Sequence, residues 1–256
     1  EPENIAKGQG VTPDVLNLSL ARPNEPISDP RTVRALELRL DLPEIPATFS
    51  DGHVEVIRKT KDYLEIRLVA PPIEQRSGTE IAPASALEPT ALIQSKAPEI
   101  RARAREITKG ARTKKEKIER ILIHVATSLK KEYRAALSNA LDVLKDPTGD
   151  CTEHGVYFVA LARAAKIPSR IVVGLTYTPM GDGGFGGHAW AEVLYRGAWH
   201  PVDPTFGQLS ADATHIPFAI GNLSDISHVA SLIGKVRIRV LNTQHKRVAP
   251  KTPNTE

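Results

Sequence analysis

The sequence predicts an α+β protein, in which a small antiparallel β module precedes a region of helices and further strands. Apolar and polar residues alternate over 36–40 and 64–68, the period of two expected of half-buried strands, and the polar stretch 59–62 predicts a turn. Residues 156–162 are apolar on every side, which is typical of a buried helix. Alternation or β-branched runs predict the other strands, over 54–56, 170–178, 188–195, 198–203 and 235–241.

Two further helices are predicted between the β module and the buried helix. Thr113 with Glu116 matches a capping box, in which two side chains satisfy free backbone N–H groups at a helix start. Apolar residues at helical spacing over 118–129 continue this helix. A shorter helix is predicted over 139–145, before the helix-breaking pair of Pro147 and Gly149.

Composition along the chain predicts five parts. The first residues are rich in Pro, Asn and Gly without a sustained period, and a later stretch is rich in Pro, Ala and Ser. The predicted parts are an extended arm over 1–30, an antiparallel β module over 31–75, a linker over 76–97, the main core over 98–241 and a polar tail over 242–256.

The bulk composition excludes several classes of protein. With 41% hydrophobic residues the chain can build an apolar core without a disulfide scaffold. A formal charge of +4, spread along the chain, is too small to indicate nucleic-acid binding. No run approaches the ~18 consecutive apolar residues of a membrane-spanning helix, so no membrane span is predicted.

The single cysteine, Cys151, is a candidate nucleophile because of its position. It follows Gly149 and Asp150 and precedes the buried helix, so it is expected at a helix N-terminus, where free N–H groups and the helix dipole favour a thiolate. The charges of Asp150 and Glu153 oppose this if they point at the sulfur. A lone cysteine is more often a small core residue, and that alternative stays open here.

A predicted hairpin brings a histidine to a carboxylate. If Arg196-Gly197 is a two-residue turn, counting back places Trp190 opposite Asp203, and His188 diagonal to Asp203. Taken singly, the histidine and the aspartate are more often structural. Together with a cysteine they suggest a Cys–His–Asp triad: Asp203 orients the ring, His188 moves the proton and the thiolate attacks an acyl carbonyl. The backbone N–H of Cys151 is the natural first oxyanion donor.

Four motifs carry a family resemblance. They are Gly149-Asp150-Cys151, the run from Ala162 to Arg170 containing Ile167-Pro168-Ser169-Arg170, His188-Ala189-Trp190-Ala191-Glu192, and Trp199-His200-Pro201-Val202-Asp203-Pro204-Thr205. In this order they resemble the transglutaminase-like superfamily, and the continuation over 212–216 is similar to bacterial members.

The resemblance implies a papain-like core, with a central helix packed on an antiparallel sheet, and Cys151, His188 and Asp203 as the catalytic residues. It implies a cysteine protease, amidase or transglutaminase-like acyl transferase that acts on a peptide or protein through a thioester. The alternative is a catalytically silent module of the same fold that binds peptide or protein. Because many bacterial members are secreted and the chain begins at Glu1, a periplasmic or secreted location is expected over a cytoplasmic one.

Two departures from animal transglutaminases favour hydrolysis over cross-linking. Those enzymes place an oxyanion-stabilising tryptophan before the cysteine, whereas Trp190 and Trp199 follow it here and are expected as cleft wall; Tyr133 is the candidate substitute. They also need calcium, and no calcium-loop spacing of carboxylates occurs. Cys151, His154, His188, His200 and His215 invite a zinc interpretation. The Cys-x-x-His fragment of Cys151 and His154 lacks a second closely spaced pair, however, so neither a metal nor another cofactor is predicted.

Overall fold

The computed structural model describes residues 20–42, 53–133, 137–221 and 235–246. The helices are α1 (Pro98–Ile107), α2 (Lys114–Ser128), α3 (Ala140–Lys145) and α4 (Cys151–Ala164). The strands are β1 (Val33–Asp41), β2 (Val54–Lys59), β3 (Leu64–Val69), β4 (Lys130–Lys131), β5 (Thr148–Gly149), β6 (Ser169–Thr178), β7 (Gly184–Tyr195), β8 (Ala198–Val202), β9 (Ile216–Ile220) and β10 (Arg237–His245). Residues 1–19 of the arm predicted over 1–30, and residues 247–256 of the tail predicted over 242–256, lie outside the described residues.

The first sheet has the strand order β10-β1-β3-β2 and is antiparallel throughout. The predicted alternation is confirmed: Leu36, Leu38 and Leu40 are fully buried and face the core, while the residues between them are partly exposed. The last strand was expected over 235–241, as part of the main core. The structure shows it as β10, which pairs with β1 of the first sheet and extends four residues into the expected tail. Its partner is set by the open edge of β1, for which the local sequence carries no signal.

The expected linker lies along the second sheet. Backbone N–H groups of Gly78 and Glu80 donate to the carbonyl oxygens of Arg196 and Gly197 at 3.0 and 2.8 Å. A Cβ at position 78 would stand 2.5 Å from the oxygen of Gly197, so this close backbone approach requires glycine. Residues 78–80 are therefore hydrogen-bonded to the hairpin turn between β7 and β8.

Helix α4 is the central helix of the second half, as its apolar sequence predicts. It packs on β6 and β7 on one side and on α1, α2 and α3 on the other. Its residues from Glu153 to Arg163 are all buried. The capping residue Thr113 of α2 accepts from the Glu116 N–H at 3.1 Å, and Asn139 caps α3, so both predicted helix starts are confirmed. Helix α1 was not predicted.

The second sheet has the order β8-β7-β6-β9, again antiparallel. The predicted two-residue turn is confirmed, since Tyr195 pairs with Ala198, and Arg196 and Gly197 both adopt positive φ, at 52° and 69°. Such a turn matches the strand twist because both of its central residues are left-handed. Strand β7 begins at Gly184, four residues before the predicted start at 188, and β9 was not predicted.

Both sheets and all four helices contribute to one continuous apolar core. Burial of about 25 cal/mol per Å² of apolar surface makes this core the main source of stability. None of the helices in the described ranges is long and apolar enough to cross a membrane.

Candidate active site

Cys151 is the first residue of α4, and the chain reaches it through the short parallel pair β4–β5. Its backbone N–H belongs to the first helical turn and has no intrahelical acceptor. The cysteine is free and partly exposed, while the rest of α4 beyond Thr152 is buried almost to its end. The position therefore holds a partly exposed cysteine at the positive end of a helix.

The acidic neighbours of Cys151 are bound to backbone. The Oδ1 atom of Asp150 accepts from the Thr152 N–H at 2.8 Å, and Oε2 of Glu153 accepts from the Asp150 N–H at 3.0 Å, which completes a capping box. Oε1 of Glu153 accepts from the Ser138 N–H at 3.0 Å. Both carboxylates thus satisfy orphan donors around the helix start, which answers the concern that they point at the sulfur.

His188 stands between the thiol and a carboxylate. Its Nε2 lies 2.7 Å from Oδ2 of Asp203, and its ring also hydrogen-bonds Cys151. With Nε2 engaged by the carboxylate, Nδ1 is the ring nitrogen left for the thiol. The structure therefore brings all three predicted residues together, although β8 ends at Val202 and Asp203 already belongs to the following loop.

Asp203 is fully buried and every part of its carboxylate is used. Oδ1 accepts backbone N–H bonds from Thr205 at 2.7 Å and Phe206 at 3.0 Å. Oδ2 contacts His188 and, at 3.0 Å, Nε2 of His215. The Asp-Pro-Thr sequence makes this turn because an aspartate readily accepts N–H bonds from the residues that follow it.

The charges of this group support one another. Burial alone would lower the pKa of His188, but the charge of Asp203, its hydrogen bond and the Cys151 thiol outweigh burial and raise it to about 10. Burial alone would raise the pKa of Asp203, but His188 and His215 hold it well below its usual range. The imidazolium and the carboxylate are therefore the resting forms at neutral pH.

Phe206 was not predicted at the site, and His215 was considered only in the zinc interpretation and in the motif continuation. The Phe206 ring stacks on His188 with centroids 4.9 Å apart, yet its side chain is 40% exposed, so it covers the histidine on the solvent side. His215 reaches Asp203 from the segment before β9. The motif continuation over 212–216 was the available signal, but it gave no indication of a contact with Asp203.

The predicted cleft wall is not built from the two tryptophans, because both are buried. Trp190 stacks behind His188, with centroids 6.1 Å apart, and meets His215 edge-on. Trp199 packs in a separate small cluster with Leu194 and lies under the guanidinium of Arg170 at 4.0 Å. Tyr133 follows β4 and is 57% exposed, and its oxyanion role stays a prediction.

Among the described residues, one group has metal-ligand chemistry: His188, Asp203 and His215, whose ligand atoms lie within 4.8 Å of one another. Asp203 Oδ2 already contacts the Nε2 atoms of both rings at hydrogen-bond distance. A metal ion requires those nitrogens without their protons. The hydrogen bonds to Asp203 place protons on those nitrogens, so the group fits a hydrogen-bonded network better than a metal centre.

Comparison with known proteins finds one family similarity. Residues 101–204 match the model of the transglutaminase-like superfamily, which includes all three residues of the Cys–His–Asp group. No protein of curated function matches the chain in sequence.

Two solved structures share the fold. A candidate cysteine protease from Cytophaga hutchinsonii has a TM-score of 0.53 at 14% identity, with 85% of this chain and 90% of that chain covered. The periplasmic domain of TgpA from Pseudomonas aeruginosa has a TM-score of 0.51 at 17% identity, with 78% and 95% covered. The region over 101–204 is therefore similar to the transglutaminase-like superfamily, and the fold around it is a helix packed on an antiparallel sheet.

Proposed function

We propose that the chain is a cysteine-dependent amide hydrolase or acyl transferase that acts on peptide or protein amides through a thioester. The observation that carries the proposal is the position of His188, which hydrogen-bonds the Cys151 thiol and the Asp203 carboxylate at once. A nucleophile, a base and a group that orients the base are the minimum for this chemistry. The family fold of residues 101–204 supports it.

In the proposed reaction, the Cys151 proton resides on His188 and the thiolate attacks the amide carbonyl carbon. The new S–C bond gives a tetrahedral oxyanion, for which the Cys151 backbone N–H is the first donor. The C–N bond then breaks, His188 gives its proton to the departing amine, and a thioester remains. Water or a second amine loses a proton to His188 and attacks the thioester, which releases an acid or a new amide and restores the thiolate–imidazolium pair.

Asp203 has two tasks in this scheme. It holds the histidine ring by its Nε2 so that the other nitrogen faces the sulfur, and its charge stabilises the imidazolium. Because the pKa of His188 is raised, its ring rests as an imidazolium over a broad range around neutrality, beside the sulfur that it would stabilise as a thiolate. The two departures from animal transglutaminases, the missing preceding tryptophan and the missing calcium loop, favour water as the acceptor.

The silent-module alternative predicts a thiol that is sealed off or turned away from the histidine. Cys151 is instead partly exposed and bonded to His188, which favours the catalytic proposal. An extracytoplasmic location is proposed with it, supported by the periplasmic domain among the structural neighbours. Fractionation of cells that express the natural gene checks the location.

The first test measures the iodoacetamide alkylation rate of Cys151 against pH in the wild type and in His188→Ala. Because the chain has one cysteine, the measured rate reports this thiol alone. We expect a wild-type inflection well below ~8.5, the value for free cysteine, and a return toward that value in the variant. The matched control is His200→Ala, which removes a buried histidine that bonds the Tyr195 carbonyl.

An inflection close to the free-cysteine value in both proteins would contradict the proposed thiolate–imidazolium pair. If the inflection is low in the wild type and equally low in His188→Ala, His188 is not the base of the site. With the expected result, a screen of peptide amides with and without an added amine separates hydrolysis from acyl transfer.

A further inference from the structure

The carboxylate of Asp203 is shared by two histidines. Oδ2 lies 2.7 Å from Nε2 of His188 and 3.0 Å from Nε2 of His215, and both rings are buried. The other oxygen is held by two backbone N–H groups. The side of Asp203 that faces away from the thiol is therefore bound to a second ring, and a Cys–His–Asp reaction by itself has no need of that ring.

His215 has an acceptor at each ring nitrogen. Its Nε2 faces Asp203, while its Nδ1 lies 3.0 Å from the carbonyl oxygen of Asp212 and 3.5 Å from Oδ1 of the same residue. A neutral imidazole has one N–H, so a ring that donates at both nitrogens is an imidazolium. Burial lowers the pKa of His215, but Asp212 and Asp203 outweigh burial and raise it.

Asp212 is held in turn by groups outside the triad. Its Oδ2 accepts from Nη1 of Arg31 at 2.8 Å and from Nε2 of Gln208 at 2.9 Å, and its Oδ1 accepts from the Thr214 N–H at 2.9 Å. Arg31 lies in the short turn before β1, and its guanidinium also stands 4.2 Å from the centroid of the Phe206 ring. The β1 end of the first sheet therefore reaches the site through Asp212 and through the ring that covers His188.

The charges alternate in sign along this path, and all of them except the partly exposed Arg31 are buried. Their order is His188, Asp203, His215, Asp212 and Arg31. The titratable or charged groups around His215 are Asp203 after β8, Asp212 before β9 and His188 on β7, with Cys151 and His154 of α4 and Arg31 beyond them. A cation in this position lowers the effect of Asp203 on His188, because it neutralises part of the same carboxylate.

We propose that His215 is a positioning residue of the site, an imidazolium that fixes Asp203 against His188 and whose charge sets the pH range of the Cys151–His188 pair. The inference rests on the proposed function. His215 and His188 have ring centroids 5.7 Å apart, so the charge of one acts strongly on the other. At this separation one charge shifts a neighbouring titration by about one pH unit. The imidazolium of His188 thereby remains acidic enough to give its proton to a leaving amine.

The test compares the pH profile of Cys151 alkylation in the wild type, His215→Gln and His215→Phe. Glutamine keeps an N–H donor for Asp203 without the charge, whereas phenylalanine keeps only the ring shape. We expect the inflection to rise by about one pH unit in His215→Gln, since loss of a cation raises the titration of neighbouring groups. In His215→Phe we expect the same rise and an alkylation rate at pH 6 at least about ten-fold lower, because Asp203 is no longer fixed.

The matched control is His200→Gln, at a buried histidine of the same sheet that has no contact with the triad among the described residues. It lowers the melting temperature without moving the inflection. The same pattern in His215→Gln, a lower melting temperature with an unchanged inflection, would overturn the proposal because it is the signature of a structural histidine.

A second measurement separates this inference from the proposed function. Nitrogen-15 NMR of the imidazole rings in the wild type reads the protonation of His215 without any thiol chemistry. We expect two ring N–H groups on His215 at pH 7.5, and a singly protonated ring at that pH would overturn the inference. A normal Cys151 inflection together with a doubly protonated His215 is the result that separates the two proposals. It would overturn the ion pair of the proposed function and the role of His215 in setting its pH range. The contact that fixes Asp203 against His215 would stand.

Discussion

The two four-stranded sheets have the same size and the same antiparallel pairing, but among the described residues only the second buries charged side chains. In the first sheet the buried positions are apolar, and the ion pair of Arg67 with Glu37 lies at the surface. In the second, Glu192 is fully buried between Arg170 and His53, and Asp203 is buried at its end. Buried charge is weak evidence for stability, whereas a set of mutually perturbed groups indicates function.

The largest effect is expected where the second sheet loses its central charge. Asp203→Asn replaces one carboxylate oxygen by an amide donor that faces two imidazole N–H groups. We expect the Cys151 alkylation rate at pH 6 to fall by about 100-fold, toward that of an unassisted thiol. The free energy of unfolding is expected to fall by about 3–5 kcal/mol, because two buried cations lose their partner.

The control for this variant is Asp182→Asn, which removes an exposed carboxylate that pairs with Arg22. Alkylation at pH 6 and urea unfolding are measured on both variants. An alkylation rate of Asp203→Asn close to the wild-type rate would contradict the role given to the buried carboxylate.

The first sheet is expected to respond in stability alone. Ile66 on β3 is fully buried and stands opposite Leu38 and Val56. Ile66→Ala leaves a cavity, and we expect the free energy of unfolding to fall by about 2–5 kcal/mol with the alkylation inflection unchanged. A shift of the inflection in this variant would show that the two sheets are coupled through their common core, and the contrast between them would fail.

The smallest effect is expected at the exposed face of the first sheet. Glu65 pairs with Arg58 at 3.5 Å, but the arginine side chain is 63% exposed. Glu65→Gln is expected to change the free energy of unfolding by less than about 0.5 kcal/mol, because exposed pairs are screened by water and salt. Urea unfolding in low and high salt checks this. A fall in the free energy of unfolding of more than about 1 kcal/mol would show that the surface charges of this sheet contribute to stability.

The local sequence predicts much of the fold because local patterns report what each element buries. The alternation around Leu38 marks β1, and the apolar run of α4 marks the central helix. The hairpin count from Arg196-Gly197 also brings His188 to Asp203, because a two-residue turn fixes register over both strands.

Three contacts could not be predicted from local sequence patterns. They depend on which surfaces remain unpaired after the helices and strands have formed. Strand β10 completes the sheet at the free edge of β1, and Ala21 exchanges two backbone hydrogen bonds with Phe185. His215 joins Asp203 across a loop that forms its own turn. Each contact is decided by three-dimensional proximity, which spacing along the chain does not encode.

The pairing of β1 with β10 has a consequence for the order of folding. Leu38 and Val240 are partners although all four strands of the second sheet lie between them along the chain, so one edge of β1 stays unpaired until β10 has been synthesised. Long-range pairing of this kind is slow, because loop closure costs entropy before the contact forms. During that interval the exposed strand edge is open to other chains. Pairing of β10 is therefore expected to protect this edge of β1 from association with other chains.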